Sequence, residues 1–276
     1  PEQTAGKVHP YVFSQCQAIL ARTVFPCHDT PGVRFSYEAT MRVPRGLTAV
    51  MAAMAVKKND EAGATVCRFE MRHPIPSYLF AFAAGNLAEE RIGARSKVVA
   101  EPEVVKAAAW EFADVDHMIE GAESLFGPYI WDEYSLLVMP PSFPYGGMEN
   151  PTLTFLTPTL IAGDRSLVAV VAHELAHSWT GNLVTNATWE DFWLNEGWTV
   201  YAERRIVERL YGMEMANLQA ANGLTSLTKA FETFGGADSP YTKLKTDMKG
   251  IDPDEVFSSV PYEKGFLFLM AVERAV

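Results

Sequence analysis

The length, composition and charge of the chain are those of a globular protein and exclude several classes of function. Its 276 residues, 48% hydrophobic and 21% charged, suffice for one large or two ordinary domains. The net charge of −11 argues against nucleic acid and anionic membrane surfaces as partners; it either favours cationic substrates or only keeps the protein soluble. No apolar run is long enough to span a bilayer, so we expect no stable membrane insertion. Three cysteines, few and odd in number, predict reduced thiols in a cytoplasmic protein.

The first part of the chain is predicted to be rich in β-structure. The polar segment 57–64 is predicted to form a hairpin-like turn. A domain boundary near Gly85 would separate a β-rich part, residues 1–86, from a second part, residues 87–276. Residues 51–56 have a periodicity that also fits a helix. Short apolar runs broken by proline and glycine predict strands at 40–44, 47–56, 67–71 and 78–82.

Helical periodicity dominates the second part. Apolar residues recur at helical spacing from 101 to 126, and Gly127 can end that helix. Strands are expected at 134–139 and 153–156, on either side of a Gly-Gly loop. Two further helices are predicted, one starting near Asp164 and Ser166 and ending at Gly181, the other running from 191 to about 211.

The first of these two helices carries a metal-binding pattern. His173-Glu174-Leu175-Ala176-His177 is the HExxH motif of zinc peptidases. Two histidines four residues apart lie on the same face of a helix, so both imidazoles can reach one ion. Glu174 lies between them and can take a proton from a water bound to that ion. The motif alone could arise by chance on a surface helix, but Glu196 follows His177 after eighteen residues and offers a carboxylate from the next helix.

The spacing also indicates which residue is the third ligand. A metzincin would need a histidine six residues after His177, and Leu183 stands there. The ligands are therefore predicted to be His173, His177 and Glu196, which leave the fourth position of a catalytic zinc ion to water. The expected centre is a thermolysin-like gluzincin site with one Zn²⁺ per chain.

The loop before the zinc helix makes the resemblance to known proteins specific. Gly146-Gly147-Met148-Glu149-Asn150 resembles the exopeptidase signature of the zinc aminopeptidases related to thermolysin. Within them, the chain is similar to the branch that contains leukotriene A(4) hydrolase and aminopeptidase B, from about His9 to Phe266. The stretches that carry this similarity are 14–18, 25–27, 74–78, 162–167 and 261–266.

This resemblance implies a multidomain α+β fold. Residues 1–86 would form the end of a β-rich N-terminal domain, and residues 87–276 a thermolysin-like, mostly helical zinc peptidase domain. Because members of the branch continue on both sides of the matched region, the chain looks like a central excerpt, truncated at the C-terminal end of the catalytic domain.

The resemblance also implies a reaction and a set of roles. The expected activity is removal of N-terminal residues from peptides by a zinc-bound water, with Glu174 as general base and Tyr262 stabilising the oxyanion. Glu149 is expected to pair with the free ammonium group of the peptide. The residues expected to contact substrate are Gln17, Ala18, Tyr145, Gly146, Gly147, Met148 and Glu149.

Glu203 is a candidate partner for a ligating histidine. It lies seven residues after Glu196, two turns along the same helix face. Ligating histidines usually donate their second nitrogen to an acceptor such as a carboxylate. A solvated surface carboxylate is the alternative.

A lipid epoxide is a candidate second substrate. Asp254 matches the aspartate that, by resemblance, directs water in the hydrolysis of leukotriene A(4). Phe257, however, stands where a tyrosine is usual in the branch, and Lys245 and Thr246 occupy a stretch that is more apolar in the lipid-processing relatives. Both departures argue against efficient lipid chemistry.

Two other functions explain less of the sequence. A zinc-bound scaffold without turnover would use the three ligands but would have no need of Glu174 and Tyr262. A thermolysin-like endopeptidase would use the zinc motif but not the loop from Gly146 to Glu149. Both remain alternatives to the aminopeptidase.

Overall fold

The computed structural model describes residues 1–276, which form eleven β-strands and six α-helices joined by short 3₁₀ turns and loops. The strands are β1 (Val12–Phe13), β2 (Arg34–Pro44), β3 (Thr48–Met51), β4 (Met54–Glu61), β5 (Ala64–Pro76), β6 (Phe82–Gly85), β7 (Ala88–Arg91), β8 (Ser96–Ala100), β9 (Tyr134–Val138), β10 (Gly147–Met148) and β11 (Leu153–Leu156). The helices are α1 (Val105–Glu111), α2 (Val115–Phe126), α3 (Ala169–Ala176), α4 (Trp193–Tyr211), α5 (Met213–Thr233) and α6 (Gly265–Ala275). The expected order, strands first and helices later, is confirmed.

The strands form three sheets. Two are antiparallel and lie in the first part of the chain, with the strand orders β2-β5-β4 and β1-β6-β3. The third has the order β10-β11-β9-β8-β7, and its three central strands are parallel while the two outer strands run antiparallel to their neighbours. This mixed sheet connects the β-rich part to the helices.

The mixed sheet is covered on both faces. All five residues of β9 are buried. Two adjacent residues of this strand, Leu136 and Leu137, are fully buried in two different apolar clusters. One cluster joins the sheet to the first part of the chain, and the other joins it to α1, α2, α3 and α4. A strand covered on both faces has a continuous apolar sequence instead of an alternating one, which explains the run at 134–138.

Several local predictions are wrong. The hairpin-like turn expected at 57–64 is confined to Ala62 and Gly63, because residues up to Glu61 belong to β4, which pairs with β5 and is exposed along most of its length. Residues 51–56 are extended except at Ala52 and Ala53, so the helical alternative fails. Segment 78–82 contains a 3₁₀ turn, and the strand begins only at Phe82. The long helix at 101–126 is interrupted between α1 and α2.

The fold places α3 at the centre of the second part. It contacts α2, α4 and the strands β10 and β11, so the loop before β10 and the start of α4 both approach it.

Cys16, Cys27 and Cys67 are all free thiols. None of the helices combines the length and the apolar character that crossing a membrane requires.

Candidate active site

Helix α3 presents both histidines of the HExxH motif to one cavity. The centroids of the two imidazole rings lie 4.9 Å apart. The Nε2 atom of each ring lies 3.4 Å from Oε2 of Glu196, which is in the first turn of α4. The remaining faces of α3 are fixed by packing, because Val171 and Leu175 are fully buried in the helical core. Apolar packing therefore selects the face on which His173 and His177 meet Glu196.

The second nitrogen of each imidazole has its own acceptor. Nδ1 of His173 lies 3.0 Å from Oε2 of Glu203, the residue two turns after Glu196. Nδ1 of His177 lies 2.9 Å from the carbonyl oxygen of Thr180 and 3.1 Å from Oγ1 of Thr199. Acceptors at Nδ1 favour the tautomer that leaves Nε2 free to bind a metal ion.

The charges around these three residues favour a cation. Burial lowers the pKa of His177, but the carboxylates of Glu149 and Glu196 outweigh it and raise that pKa to about 9. Burial raises the pKa of Glu196, but the imidazole of His177 and then that of His173 outweigh it and lower that pKa to about 2. Oε2 of Glu196 is buried without a hydrogen-bond partner. A zinc ion between this oxygen and the two Nε2 atoms would supply the positive charge, so the donor set fits zinc.

A second group of ligand atoms lies beside the first. Glu149, Glu174 and His177 place one donor atom each within 4.8 Å of one another. This group offers two carboxylates and an imidazole shared with the first group, whereas the first offers two imidazoles and one carboxylate. Because imidazole suits zinc and carboxylate suits harder cations, the group with His173 and Glu196 is the better zinc site.

The two carboxylates of the second group are deeply buried. Glu149 is 5% exposed, and its Oε1 has no hydrogen-bond partner. Burial raises the pKa of Glu149 against the opposing effect of His177, and burial likewise raises the pKa of Glu174 to about 8. An unpartnered buried carboxylate is costly, so this part of the cavity favours a cationic ligand.

The loop between β9 and β11 lies directly against Glu174. A Cβ atom at Gly147 would lie 2.3 Å from Oε1 of Glu174, so a side chain there would displace the Glu174 carboxylate. At Gly146 the nearest side-chain atom, Cγ1 of Val170, would be 3.9 Å away. The close approach of the backbone to Glu174 is thus confined to Gly147. The amide of Asn182 anchors the same loop by donating to the carbonyl of Glu149 at 2.8 Å.

Tyr262 lies beside His173. It belongs to a π-helical turn, Val260–Lys264, that runs directly into α6. Its ring stacks on His173 with centroids 6.0 Å apart and an angle of 21°. Burial, followed by the negative charge of Glu196, raises the pKa of Tyr262, so its hydroxyl stays protonated and can donate a hydrogen bond. The cavity that it shares with the histidines has a volume of about 460 Å³.

The residues predicted to contact substrate divide into two groups. Ala18 and Met148 are buried and do not line the cavity; Met148 pairs with Phe155 in the mixed sheet. The others lie on the cavity wall. These are Gln17, Tyr145, Gly146, Gly147 and Glu149.

Of the residues considered for lipid chemistry, some line the cavity and others do not. Phe257 lines the cavity and stacks on Phe192, with centroids 4.3 Å apart. Asp254 lies in an exposed 3₁₀ turn and does not line the cavity. Lys245 is on the surface, where its Nζ lies 3.1 Å from Oδ2 of Asp191, and it does not line the cavity.

Some residues of the site were missed in the sequence. Thr199 lies three residues after Glu196, a spacing that could have identified it as a neighbour of the metal ligands. The Thr180 carbonyl gives no signal, since every residue has one. The ion pair between Arg204 and Glu263 follows no local pattern, because the two residues are far apart in the chain.

Comparison with known proteins identifies the family. The model of the peptidase family M1 domain matches residues 110–276, and that of the peptidase M1 N-terminal domain matches residues 2–79. The chain is 51% identical to leukotriene A-4 hydrolase of Xenopus laevis over 276 residues, 99% of this chain and 45% of that protein. It is also 51% identical to leucine aminopeptidase 2 of Aspergillus niger over 281 residues, 100% of this chain and 45% of that protein.

Solved structures agree with these matches. Yeast LTA4 hydrolase in complex with bestatin superposes with a TM-score of 0.92 at 44% sequence identity, covering 99% of this chain and 43% of that one. The chain thus spans less than half the length of the relatives that it matches. The expected resemblance and α+β fold are confirmed. The chain therefore belongs to peptidase family M1, a family of zinc metallopeptidases.

Proposed function

We propose that the chain carries the catalytic centre of a zinc-dependent aminopeptidase, in which His173, His177 and Glu196 hold one Zn²⁺. The observation that carries the proposal is that a zinc donor set and the unpartnered carboxylate of Glu149 meet in one cavity. The first accounts for a metallopeptidase, and the second for recognition of a free amino terminus. The relatives named leukotriene A-4 hydrolase and leucine aminopeptidase 2 support this reading.

The proposed chemistry divides among three groups. Bound zinc supplies a Lewis acid that polarises the scissile carbonyl and acidifies water. Glu174 accepts a proton from the attacking water and gives it to the leaving amine. Tyr262 donates a hydrogen bond to the developing oxyanion, and removing one such donor typically costs about 10² to 10³ in kcat.

The proposed substrate is a peptide with a free amino terminus. Glu149 binds its ammonium group, which satisfies the buried and unpartnered Oε1. Because Glu149 lies beside Glu174 and His177, the ammonium is held next to the zinc site and only the terminal residue is cleaved. Gln17 and Tyr145 line the space for that residue. Ala18 and Met148 are buried and do not line that space.

We propose two domains that both contribute residues to the cavity. Residues 1–86 form the end of the β-rich N-terminal domain and residues 87–276 the catalytic domain. Gln17 reaches the cavity from the first and the remaining lining residues come from the second. We infer that the N-terminal domain contributes to the choice of substrate.

A lipid epoxide is the weaker candidate substrate. Phe257 places an apolar ring on the cavity wall and packs against Phe192 and Trp189, and one relative is named a leukotriene A-4 hydrolase. Apolar burial contributes about 0.8 kcal/mol per methylene, so an acyl chain would gain from that wall. Asp254 does not line the cavity, which leaves the proposed water-directing carboxylate outside it. We therefore expect peptide hydrolysis to dominate.

The experiment is a substrate panel on the full-length protein, with and without chelator. Chromogenic aminoacyl substrates, their N-acetylated forms and leukotriene A(4) are compared by kcat/KM on one preparation. We expect turnover of free aminoacyl substrates that chelator abolishes and zinc restores. Equal turnover of acetylated substrates would indicate an endopeptidase, and a zinc-loaded protein without turnover would indicate a scaffold.

A further inference from the structure

Helix α4 connects the zinc donor set to the segment that carries Tyr262. Glu196 and Glu203 lie against the histidines, and the residues that follow them, Gly197 and Arg204, contact the segment 260–265. Residues seven apart return to nearly the same face of a helix. The helix therefore has one stripe facing the metal ligands and an adjacent stripe facing the π-helical turn.

The first contact brings two backbones together. A Cβ atom at Gly197 would lie 2.8 Å from Cα of Gly265, and one at Gly265 would lie 2.7 Å from Cα of Gly197. The obstructing atoms are backbone, which cannot move aside as a flexible side chain can. The spacing between α4 and the start of α6 is therefore set by the absence of two side chains, directly beside Glu196.

The second contact is a buried ion pair. Nη2 of Arg204 lies 2.8 Å from both carboxylate oxygens of Glu263 and 3.3 Å from the carbonyl oxygen of Gln219. The Arg204 and Glu263 side chains are only 8% and 14% exposed. The guanidinium group lies over the ring of Phe266, 4.0 Å from its centroid. A Cβ atom at Gly223 would overlap the pair, at 2.1 Å from Oε2 of Glu263, so α5 closes over it.

We propose that the Arg204–Glu263 pair and the Gly197–Gly265 contact are a positioning device for Tyr262. Glu263 is the next residue after Tyr262, and both lie within the π-helical turn Val260–Lys264. Neither contact involves the Tyr262 hydroxyl, so both act through the backbone. They hold that hydroxyl at a fixed distance from a zinc donor set that shares helix α4. The inference rests on the proposed function, because it needs Tyr262 to act on the substrate.

The first test is Glu263→Gln in the full-length, zinc-loaded protein. The amide keeps the shape of the side chain and removes its charge. We expect kcat for an aminoacyl substrate to fall about tenfold or more, since a misplacement of about 1 Å can cost about 10²-fold. KM and zinc content should not change, and backbone amides of residues 258–268 should exchange faster with solvent. Should this variant not fold, Arg204→Lys, which keeps the charge, is measured in the same way.

The matched control is Glu123→Gln. Glu123 forms an ion pair of the same length with Arg95, at 2.8 Å, and neither residue lines the cavity. We expect this change to leave kcat, KM and the amide exchange of residues 258–268 as in the wild type. A loss of kcat as large as that of Glu263→Gln would mean that any lost ion pair impairs the enzyme, and it would overturn the proposal.

The decisive comparison measures the effect of Glu263→Gln in a protein that already lacks the Tyr262 hydroxyl. If Glu263 acts through Tyr262, then Glu263→Gln should lower kcat less than about twofold in a Tyr262→Phe protein, because contributions through one shared group are not additive. An undiminished effect in that background, or a kcat within about twofold of wild type in the single variant, would overturn the proposal. A wild-type protein without any turnover would refute the proposed function instead, and the amide exchange would still report whether the device holds the turn.

Discussion

The two sides of the cavity treat buried charge in opposite ways. On the imidazole side, each carboxylate has a ring nitrogen beside it, at 3.0 to 3.4 Å. On the carboxylate side, neither Glu149 nor Glu174 forms an ion pair with an imidazole, and burial raises the pKa of both carboxyl groups. The imidazole side consists of His173, His177, Glu196 and Glu203, and the carboxylate side of Glu149 and Glu174.

The difference indicates two different occupants. A site rich in imidazole with second-nitrogen acceptors is arranged for a metal ion that stays bound. A buried carboxylate that forms no ion pair is arranged for a cation that arrives with each turnover, since leaving it unpaired costs free energy. The same residue type, glutamate, therefore serves metal binding on one side and substrate binding on the other.

The largest expected effect comes from breaking the imidazole side. His173→Ala removes one of three donors, so we expect the zinc content of the full-length protein to fall from about one per chain to background, with loss of activity. Elemental analysis measures it. The control is His117→Ala, which removes an exposed histidine of α2 and should leave zinc in place. Full retention of zinc by His173→Ala would refute the donor set.

A substitution of Glu174, on the carboxylate side, should reduce hydrolysis without loss of zinc. Glu174→Gln keeps the shape of the side chain but removes the base, so zinc should remain while kcat falls by about 10² to 10⁴. The measurement pairs elemental analysis with steady-state kinetics on one preparation. A kcat within about tenfold of the wild type would mean that another group takes the proton.

Glu149 should control selectivity for a free amino terminus. Glu149→Gln removes the negative charge proposed to bind the ammonium group, and such a charged contact is worth about 1.5 to 3 kcal/mol. We expect kcat/KM for a free aminoacyl substrate to fall about tenfold to a hundredfold, with little change for its acetylated form. Unchanged rejection of the acetylated form would show that another residue recognises the terminus.

The smallest expected effect is a change in zinc affinity caused by a substitution of Glu203 on the imidazole side. Glu203→Gln weakens the acceptor at Nδ1 of His173, 3.0 Å away, and should reduce zinc affinity about tenfold while the metal still binds at saturation. Competition with a fluorescent chelator measures the affinity. Glu208→Gln, a change on the same helix away from the cavity, is the control. Equal affinities in the two variants would leave Glu203 as an ordinary polar residue.

The sequence predicted the site better than it predicted the strands. Histidines four residues apart and carboxylates seven apart share a helix face, so spacing was enough to pair His173 with His177 and Glu196 with Glu203, while the contact between the two helices depends on packing. Residues 57–61 of β4 were missed because an edge strand exposed along most of its length has no apolar alternation. The ion pair of Lys245 with Asp191 has no local signal, because the two residues are distant in the chain. Spacing within one helix is local, whereas strand pairing and ion pairs between elements are set by tertiary packing.

The most direct test of the account is an anomalous difference map, recorded at the zinc absorption edge from crystals of the full-length protein. We predict one strong peak about 2.0 to 2.2 Å from Nε2 of His173, Nε2 of His177 and a carboxylate oxygen of Glu196. We predict none between Glu149 and Glu174. A peak bound by Glu149, Glu174 and His177, or no peak from zinc-loaded crystals, would contradict the division of the cavity into a metal side and a substrate side.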